Sequence, residues 1–163
     1  MKRLPAIPTV YRGIKFRSKL EAKYARAFDI LGISWTYEEV NLMFDDGTCY
    51  APDFYMPEID TYFEVKGVMT EEDERKIKML SEQGNTVVVG HPDGTMTLYE
   101  GKAEYCIGGP NENEALAVKC DKCGAWFFTD YYEWWKCKFC GAYEGNGHLS
   151  GWRPNLFDLT DKG

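Results

Sequence analysis

The sequence lacks any long apolar run and contains very little histidine. No stretch approaches the roughly 20 consecutive apolar residues that a membrane-spanning helix needs, and the basic start of the chain has no apolar run of the kind found in signal peptides. We therefore expect no membrane partner and an intracellular, cytoplasmic protein. The 163 residues include only two histidines, His91 and His148, and neither has metal-ligand spacing to the other. Neither is assigned a catalytic role.

Positive charge is also scarce, but it is unevenly distributed. The formal net charge of -7 and the pI near 4.9 argue against a protein that coats nucleic acid nonspecifically. Residues 1–26 nevertheless carry eight basic side chains and one acidic side chain. This segment could hold a phosphate backbone locally, and the alternative is a solvated basic helix face.

Six cysteines are not expected to form a disulfide framework in a reducing compartment, and four of them are closely paired, which favours metal binding. Cys120 and Cys123 repeat the Cys-x-x-Cys-Gly pattern of Cys137 and Cys140, with thirteen residues between the pairs. This spacing is typical of two knuckles that bind one tetrahedral Zn²⁺ through four thiolates and leave no open position. Two redox dithiols would instead be expected beside a thioredoxin-like βαβ pattern. The sequence therefore predicts a structural zinc site.

The segment between the cysteine pairs is rich in aromatic residues, and two further cysteines have no close partner. The aromatic side chains either stack on unpaired bases or a partner protein, or pack the small module against the main core. Cys49 and Cys106 are interpreted as buried, small apolar residues. The aromatic residues concerned are Trp126, Phe127, Phe128, Tyr131, Tyr132, Trp134 and Trp135.

Hydrophobic periodicity and turn residues predict an α/β fold with a mixed sheet. A capping-box pattern at Ser18 and Glu21 begins a helix that ends at Gly32, and a second helix begins after Thr70 and ends at Gly84. The predicted strands cover residues 35–40, 49–56, 61–66, 86–89 and 96–99. The predicted organisation is a domain of residues 1–107, a linker of 108–117, a zinc ribbon of 118–145 and a C-terminal tail of 146–163.

Two acidic residues and a lysine are predicted to converge on neighbouring strands. Asp53 lies in one strand, and Glu64 and Lys66 share one face of the next because side chains alternate along a strand. Paired carboxylates suit Mg²⁺ or Mn²⁺, which can polarise a phosphate and lower the pKa of a bound water. Lys66 would orient that water or stabilise charge on the phosphate oxygens. For the Glu-x-Lys tripeptide alone, an exposed ion pair is the simpler interpretation.

The whole set of motifs resembles the PD-(D/E)xK nuclease superfamily, and more narrowly the phage endonuclease I group, which resolves Holliday junctions. The similarity covers roughly residues 15–105. It implies a restriction-endonuclease-like mixed sheet flanked by helices, here with an added C-terminal zinc ribbon. The motifs that carry the resemblance are Phe16-Arg17-Ser18-Lys19-Leu20-Glu21, Thr36-Tyr37-Glu38-Glu39, the segment from Tyr50 to Pro57 around Pro52-Asp53, and Phe63-Glu64-Val65-Lys66-Gly67.

The resemblance also implies roles for individual residues. Asp53 and Glu64 would bind the catalytic Mg²⁺ or Mn²⁺ with help from the Val65 carbonyl, and Lys66 would assist the attacking water. Glu21 matches the acidic residue of the first helix, although the capping box alone also explains it. The implied activity is a Mg²⁺-dependent endonuclease that hydrolyses DNA, including branched DNA. A homodimer is implied as well, located in the host cytoplasm if the chain is phage-encoded.

Other functions fit the same residues. One is a noncatalytic adaptor that binds nucleic acid or protein through the zinc ribbon. Others are a general nicking nuclease and a nuclease that acts on RNA. The ribbon, and the lack of a long basic tail after the core, distinguish the chain from the phage group and leave junction specificity open. The sequence also leaves open whether one or two metal ions take part.

Overall fold

The computed structural model describes residues 7–100, 112–131, 134, 136–142 and 149–160. The helices are α1 (Lys19–Leu31), α2 (Glu71–Glu82) and a short 3-10 helix (Leu156–Asp158). No helix in the described ranges combines the length and the apolar character that crossing a membrane requires. The strands are β1 (Thr9–Tyr11), β2 (Ile14–Phe16), β3 (Thr36–Tyr37), β4 (Leu42–Met43), β5 (Cys49–Tyr50), β6 (Phe54–Met56), β7 (Thr61–Val65), β8 (Thr86–Gly90), β9 (Met96–Glu100), β10 (Glu112–Cys120), β11 (Trp126–Thr129) and β12 (Leu149–Arg153).

Both helices begin where their capping residues predict. The Ser18 hydroxyl accepts a hydrogen bond from the Glu21 amide, 3.1 Å away, and begins α1. Gly32 ends α1 in the left-handed region, at φ 78°, where glycine is not strained. Thr70 and Asp73 form a complete capping box at the start of α2. These local signals fix the ends of α1 and the start of α2 independently of the sheet.

The main sheet is mixed, which confirms the predicted α/β class. Its strand order is β11-β10-β9-β8-β7-β6-β3, and β12 also pairs with β10. β7 and β8 are parallel and are joined through α2, whereas the other neighbouring strands are antiparallel. β4 and β5 form a separate two-stranded sheet, and β1 and β2 form another.

The predicted strand over residues 49–56 is divided into β5 and β6, and the strand over 35–40 is reduced to β3. Pro52 has no amide hydrogen to donate to a ladder. The amide of Asp53 donates instead to the Glu64 side chain. The interruption therefore places Asp53 outside the regular strands, where its side chain can enter a site.

The sheet separates two hydrophobic clusters, and β7 contributes to both. Phe63 is fully buried with Phe28 of α1 and Phe54 of β6. Tyr62 packs on the other side, against the cluster that contains Ile77 of α2. Because side chains alternate along a strand, Glu64 follows Tyr62 to the α2 side.

β10 crosses the predicted linker. Ala115 pairs with Met96 of β9, whereas Lys119 pairs with Trp126 of β11 and with Ser150 of β12. The residues from 115 to 118 are all buried. The structure therefore places residues 112–117 of the predicted linker, 108–117, in strand β10, because Ala115, Leu116 and Ala117 pack in the core. Residues 108–111 lie outside the described part of the chain.

Within the predicted C-terminal tail, 146–163, residues 149–160 fold back onto the core. The Phe157 ring is buried 4.7 Å from the Tyr24 ring. The amide of Leu156 donates to the Gly94 carbonyl at 3.1 Å, and a Cβ on Gly94 would lie 2.2 Å from the Asn155 side-chain oxygen. Residues 146–148 and 161–163 lie outside the described residues.

Candidate functional site

Asp53 is the centre of a buried group of acidic side chains. Its Oδ2 accepts a hydrogen bond from the Val65 amide at 2.9 Å, and its own amide donates to Glu64 Oε1 at 2.6 Å. Asp53 is 5% exposed and Glu64 is 1% exposed. The structure therefore brings these two predicted site residues together across the β6–β7 pair.

Lys66 lies directly beside this acidic pair. Its Nζ is 3.4 Å from Glu64 Oε2 and 3.3 Å from Asp73 Oδ1. The second oxygen of Asp73 accepts the Thr70 amide in the α2 capping box, at 3.1 Å. The N-terminus of α2 thus holds the lysine in place. The only feature of the sequence that marks Asp73 is its place in the capping-box pattern, which does not predict this contact with Lys66.

Glu21 approaches Asp53 from the other helix, together with an acidic residue that sequence reasoning did not assign to the site. Carboxylate oxygens of Glu21, Glu38 and Asp53 all lie within 4.8 Å of one another and could hold a metal ion. Tyr37 donates to Glu21 Oε2 at 2.8 Å. Glu38 has a φ of 54°, a strained conformation for a residue other than glycine. Its only sequence signal is its place in the Thr36-Tyr37-Glu38-Glu39 motif.

Arg17 supplies a positive charge to this group of acids. Its Nη2 is 3.0 Å from Asp53 Oδ1, and its Nε forms an ion pair with Glu38. The Arg17 side chain is 65% exposed, whereas the Asp53 side chain is 7% exposed. The guanidinium therefore covers the acidic group from the solvent side.

Burial and mutual repulsion make the ionised forms of Asp53 and Glu64 unfavourable. Burial, followed by the charge of Glu64, raises the pKa of Asp53 to about 8. Burial also raises the pKa of Glu64 above its ordinary value. Burial would lower the pKa of Lys66, but the charges of Glu64, Asp73 and Asp53 more than offset this and keep it above its ordinary value. Lys66 is therefore a cation in this site, and a further cation would stabilise the carboxylates.

The four paired cysteines form a second cluster that could hold a structural metal such as zinc. The sequence predicts this grouping of the four residues. The Sγ atoms of Cys120 and Cys140 are 3.5 Å apart, and those of Cys123 and Cys137 are 3.8 Å apart. All four sulfur atoms lie within 4.8 Å of one another. This is the close grouping that tetrahedral coordination by four thiolates requires.

Two matching turns build the cysteine cluster. The Gly124 amide donates to the Cys120 carbonyl at 2.8 Å, and the Gly141 amide donates to the Cys137 carbonyl at 3.1 Å. Both glycines have a positive φ, 78° and 74°. The turns also direct the Cys123 amide toward Cys120 Sγ, at 3.5 Å, which helps to stabilise a thiolate.

The predictions for the remaining cysteines and for the aromatic residues agree only in part with the structure. Cys49 is exposed in the β4–β5 hairpin, so its predicted burial is wrong, and Cys106 lies outside the described residues. Phe128 packs against Phe63 of the main core, with ring centroids 5.7 Å apart. In contrast, Tyr131 is 53% exposed, and the Trp134 ring contacts the Trp152 ring edge to face. Part of the aromatic set therefore joins the cysteine module to the core, and part faces solvent.

The raised pKa of Asp53 predicts a pH-dependent stability in metal-free protein. Between about pH 4 and pH 8 the folded chain holds a proton that the unfolded chain releases, so the unfolding free energy falls as the pH rises. We expect Asp53→Asn to gain several degrees in melting temperature relative to wild type over this interval, measured by thermal unfolding with a chelator. The exposed residue Asp45 provides the control variant Asp45→Asn. Parallel curves for wild type and Asp53→Asn would contradict the raised pKa.

Removal of the thiolate-bound metal should destabilise the main sheet as well as the cysteine module, because Cys120 ends the strand β10 that both share. We expect Cys137→Ser to lower the melting temperature of the whole protein by about 5 °C or more, and to abolish about one equivalent of zinc in elemental analysis. Cys49→Ser, at the exposed cysteine, should leave both unchanged. Loss of zinc with an unchanged unfolding transition would show that the module is energetically separate.

Comparisons with known proteins add no family assignment. No protein-family model matches the chain, and no curated protein matches it. The resemblance to nucleases therefore depends on the motif residues alone, and a function has to be argued from the geometry of the acidic site.

Proposed function

We propose that the chain is a Mg²⁺- or Mn²⁺-dependent endonuclease with a restriction-endonuclease-like core that hydrolyses phosphodiester bonds in DNA. The observation that carries the proposal is the burial of Asp53 against Glu64, with Lys66 Nζ 3.4 Å from Glu64. An isolated pair of buried carboxylates is unfavourable unless a cation or a proton compensates it. A buried pair that opens toward solvent on the Arg17 side suits a cation better than a purely structural role.

The donor atoms fit the proposed metal. Carboxylate oxygens are the ligands that Mg²⁺ and Mn²⁺ prefer, and these ions keep positions free for water and a phosphate oxygen. Asp53 and Glu64 would hold the cation, with the Val65 carbonyl as the third ligand that the resemblance implies. Carboxylate oxygens of Glu21 and Glu38 lie within 4.8 Å of an Asp53 oxygen, so these two residues could hold a second ion or orient water ligands.

The proposed reaction is direct hydrolysis. When bound, the cation would polarise the phosphate and lower the pKa of a water ligand. Attack of water on phosphorus would break the bond to the leaving oxygen in the same step, so no covalent enzyme intermediate would be formed. Lys66, held by Asp73, would donate a hydrogen bond to the attacking water or to a phosphate oxygen whose charge increases.

The surface next to the site suits a phosphate backbone. Lys15, Arg17 and Lys19 are exposed at the end of β2 and the start of α1, and the N-terminus of a helix favours an anion. Other basic residues of this segment have internal contacts. Arg12 pairs with Asp29 at 2.9 Å, and Lys23 Nζ lies 4.1 Å from the centre of the Phe157 ring. The DNA would therefore be held close to the acidic group.

Two further parts of the proposal concern the substrate and the ribbon. Branched DNA as the substrate and a homodimer as the active form follow from the resemblance to the phage endonuclease I group. We also propose that the four cysteines bind Zn²⁺. This site would be structural, because four thiolates leave no position for a substrate.

Cleavage of DNA should depend on all three residues at the core of the site. We expect Asp53→Asn, Glu64→Gln and Lys66→Met each to lower the cleavage rate by about 10²-fold or more. The measurement compares supercoiled plasmid, a four-way junction and matched RNA with Mg²⁺ or Mn²⁺. Glu39→Gln, at an exposed acidic residue next to the site, should retain wild-type cleavage.

The choice of substrate separates the alternatives in the same experiment. Preferential cutting of the junction would identify a resolvase, and equal cutting of plasmid and junction would identify a general nuclease. If folded wild-type protein cuts none of these substrates with either metal ion, the nuclease proposal fails. The noncatalytic adaptor would then be the better account of the chain.

A further inference from the structure

Arg17 joins an exposed side chain to a buried acidic group. Its guanidinium contacts Asp53 and Glu38, yet 65% of the side chain is accessible to solvent. The backbone of Arg17 is held separately, since its amide donates to the Tyr37 hydroxyl at 3.2 Å. The residue is therefore anchored at its main chain, while its charged end reaches the carboxylates from the solvent side.

An ion pair with a purely structural role would be expected to have both partners shielded from solvent. An ion pair that fixes a fold is normally shielded from water, because exposed pairs contribute little to stability. Asp53 is nearly buried, but its partner is not. Asp53 Oδ1, the atom that Arg17 contacts, is also the oxygen left free by the Val65 amide, which bonds Oδ2. Arg17 thus occupies the coordinating oxygen that a divalent cation would need.

We propose that Arg17 exchanges partners: it contacts Asp53 and Glu38 in the metal-free protein and, once a divalent cation binds, contacts a phosphate of the nucleic-acid substrate. This inference rests on the proposed nuclease function. Two cations compete for Asp53 Oδ1, so metal binding favours release of the guanidinium. The planar guanidinium binds two phosphate oxygens at once. Ser18 and the first turn of α1 lie next to it, where the helix N-terminus also favours an anion.

The first test measures competition between Arg17 and a metal ion. Mg²⁺ is titrated calorimetrically above about pH 8, where Asp53 is ionised. We expect Arg17→Ala to bind Mg²⁺ about threefold to tenfold more tightly than wild type, because a competing cation is removed. Arg17→Lys should lie between the two. Lys15→Ala, at an exposed basic residue of β2, should match wild type.

The second test measures contact with the substrate. Binding of a fluorescent DNA duplex is measured in Ca²⁺, a divalent cation that also takes carboxylate oxygens as ligands. We expect Arg17→Ala to weaken DNA binding about tenfold and to flatten its salt dependence by about one phosphate contact. Arg17→Lys should recover the salt dependence but only part of the affinity, because a lysine cannot contact two phosphate oxygens at once. Lys122→Ala, at an exposed basic residue of the cysteine module, provides the comparison for loss of an ordinary surface charge.

The outcomes separate this proposal from the nuclease proposal. Tighter Mg²⁺ binding together with weaker DNA binding in Arg17→Ala supports the exchange of partners, even if no wild-type cleavage is found. Unchanged or weaker Mg²⁺ binding in Arg17→Ala, with the protein folded, overturns it. DNA binding by Arg17→Ala equal to that of Lys122→Ala also overturns it. Absence of Mg²⁺ binding to wild type would overturn both proposals.

Discussion

The burial of Asp53 against Glu64 is the interaction on which the rest of the site depends. Two carboxylates can be held side by side out of water only if a proton, a cation or hydrogen-bond donors compensate their repulsion. The fold supplies hydrogen-bond donors and one cation. The Val65 amide donates to Asp53, the Asp53 amide donates to Glu64, and Lys66 lies beside Glu64. The raised pKa of Asp53 shows that this compensation is incomplete. The acidic group is therefore arranged to accept one more positive charge.

The need to compensate the buried Asp53–Glu64 pair explains why several helices and strands meet beside these two residues. The interruption between β5 and β6 frees Asp53 from the ladder, the parallel pair β7–β8 ends beside it, and α2 anchors Lys66 through Asp73. Helix α1 brings Glu21 from the other side of the sheet. The cysteine cluster lies at the far end of β10 and is joined to the core through β10 itself. The acidic group and the cysteine cluster therefore occupy different parts of one continuous sheet.

Sequence reasoning succeeded where the signal is local. The caps at Ser18 and Thr70 and the repeated cysteine pairs are each read within a few residues, so the start of each helix and the thiolate cluster were predictable. The contact of Arg17 with Glu38 was not, because it depends on how α1 and β3 meet in three dimensions. β10 was missed because its first residues are polar, and polar residues on an outer part of a strand have the composition of a linker. Only the apolar residues 115–118, in the buried half of β10, indicated a strand rather than a linker.

The most direct test of the site is the position of Mn²⁺ in crystals of the protein, located by its anomalous scattering. We expect a peak about 2.0–2.5 Å from carboxylate oxygens of both Asp53 and Glu64, with the Arg17 guanidinium displaced from Asp53. A peak at this position would place a divalent cation where the buried charges require one. A crystal with no peak beside Asp53, grown at a Mn²⁺ concentration that saturates the protein in solution, would contradict the assignment of these carboxylates as the metal site.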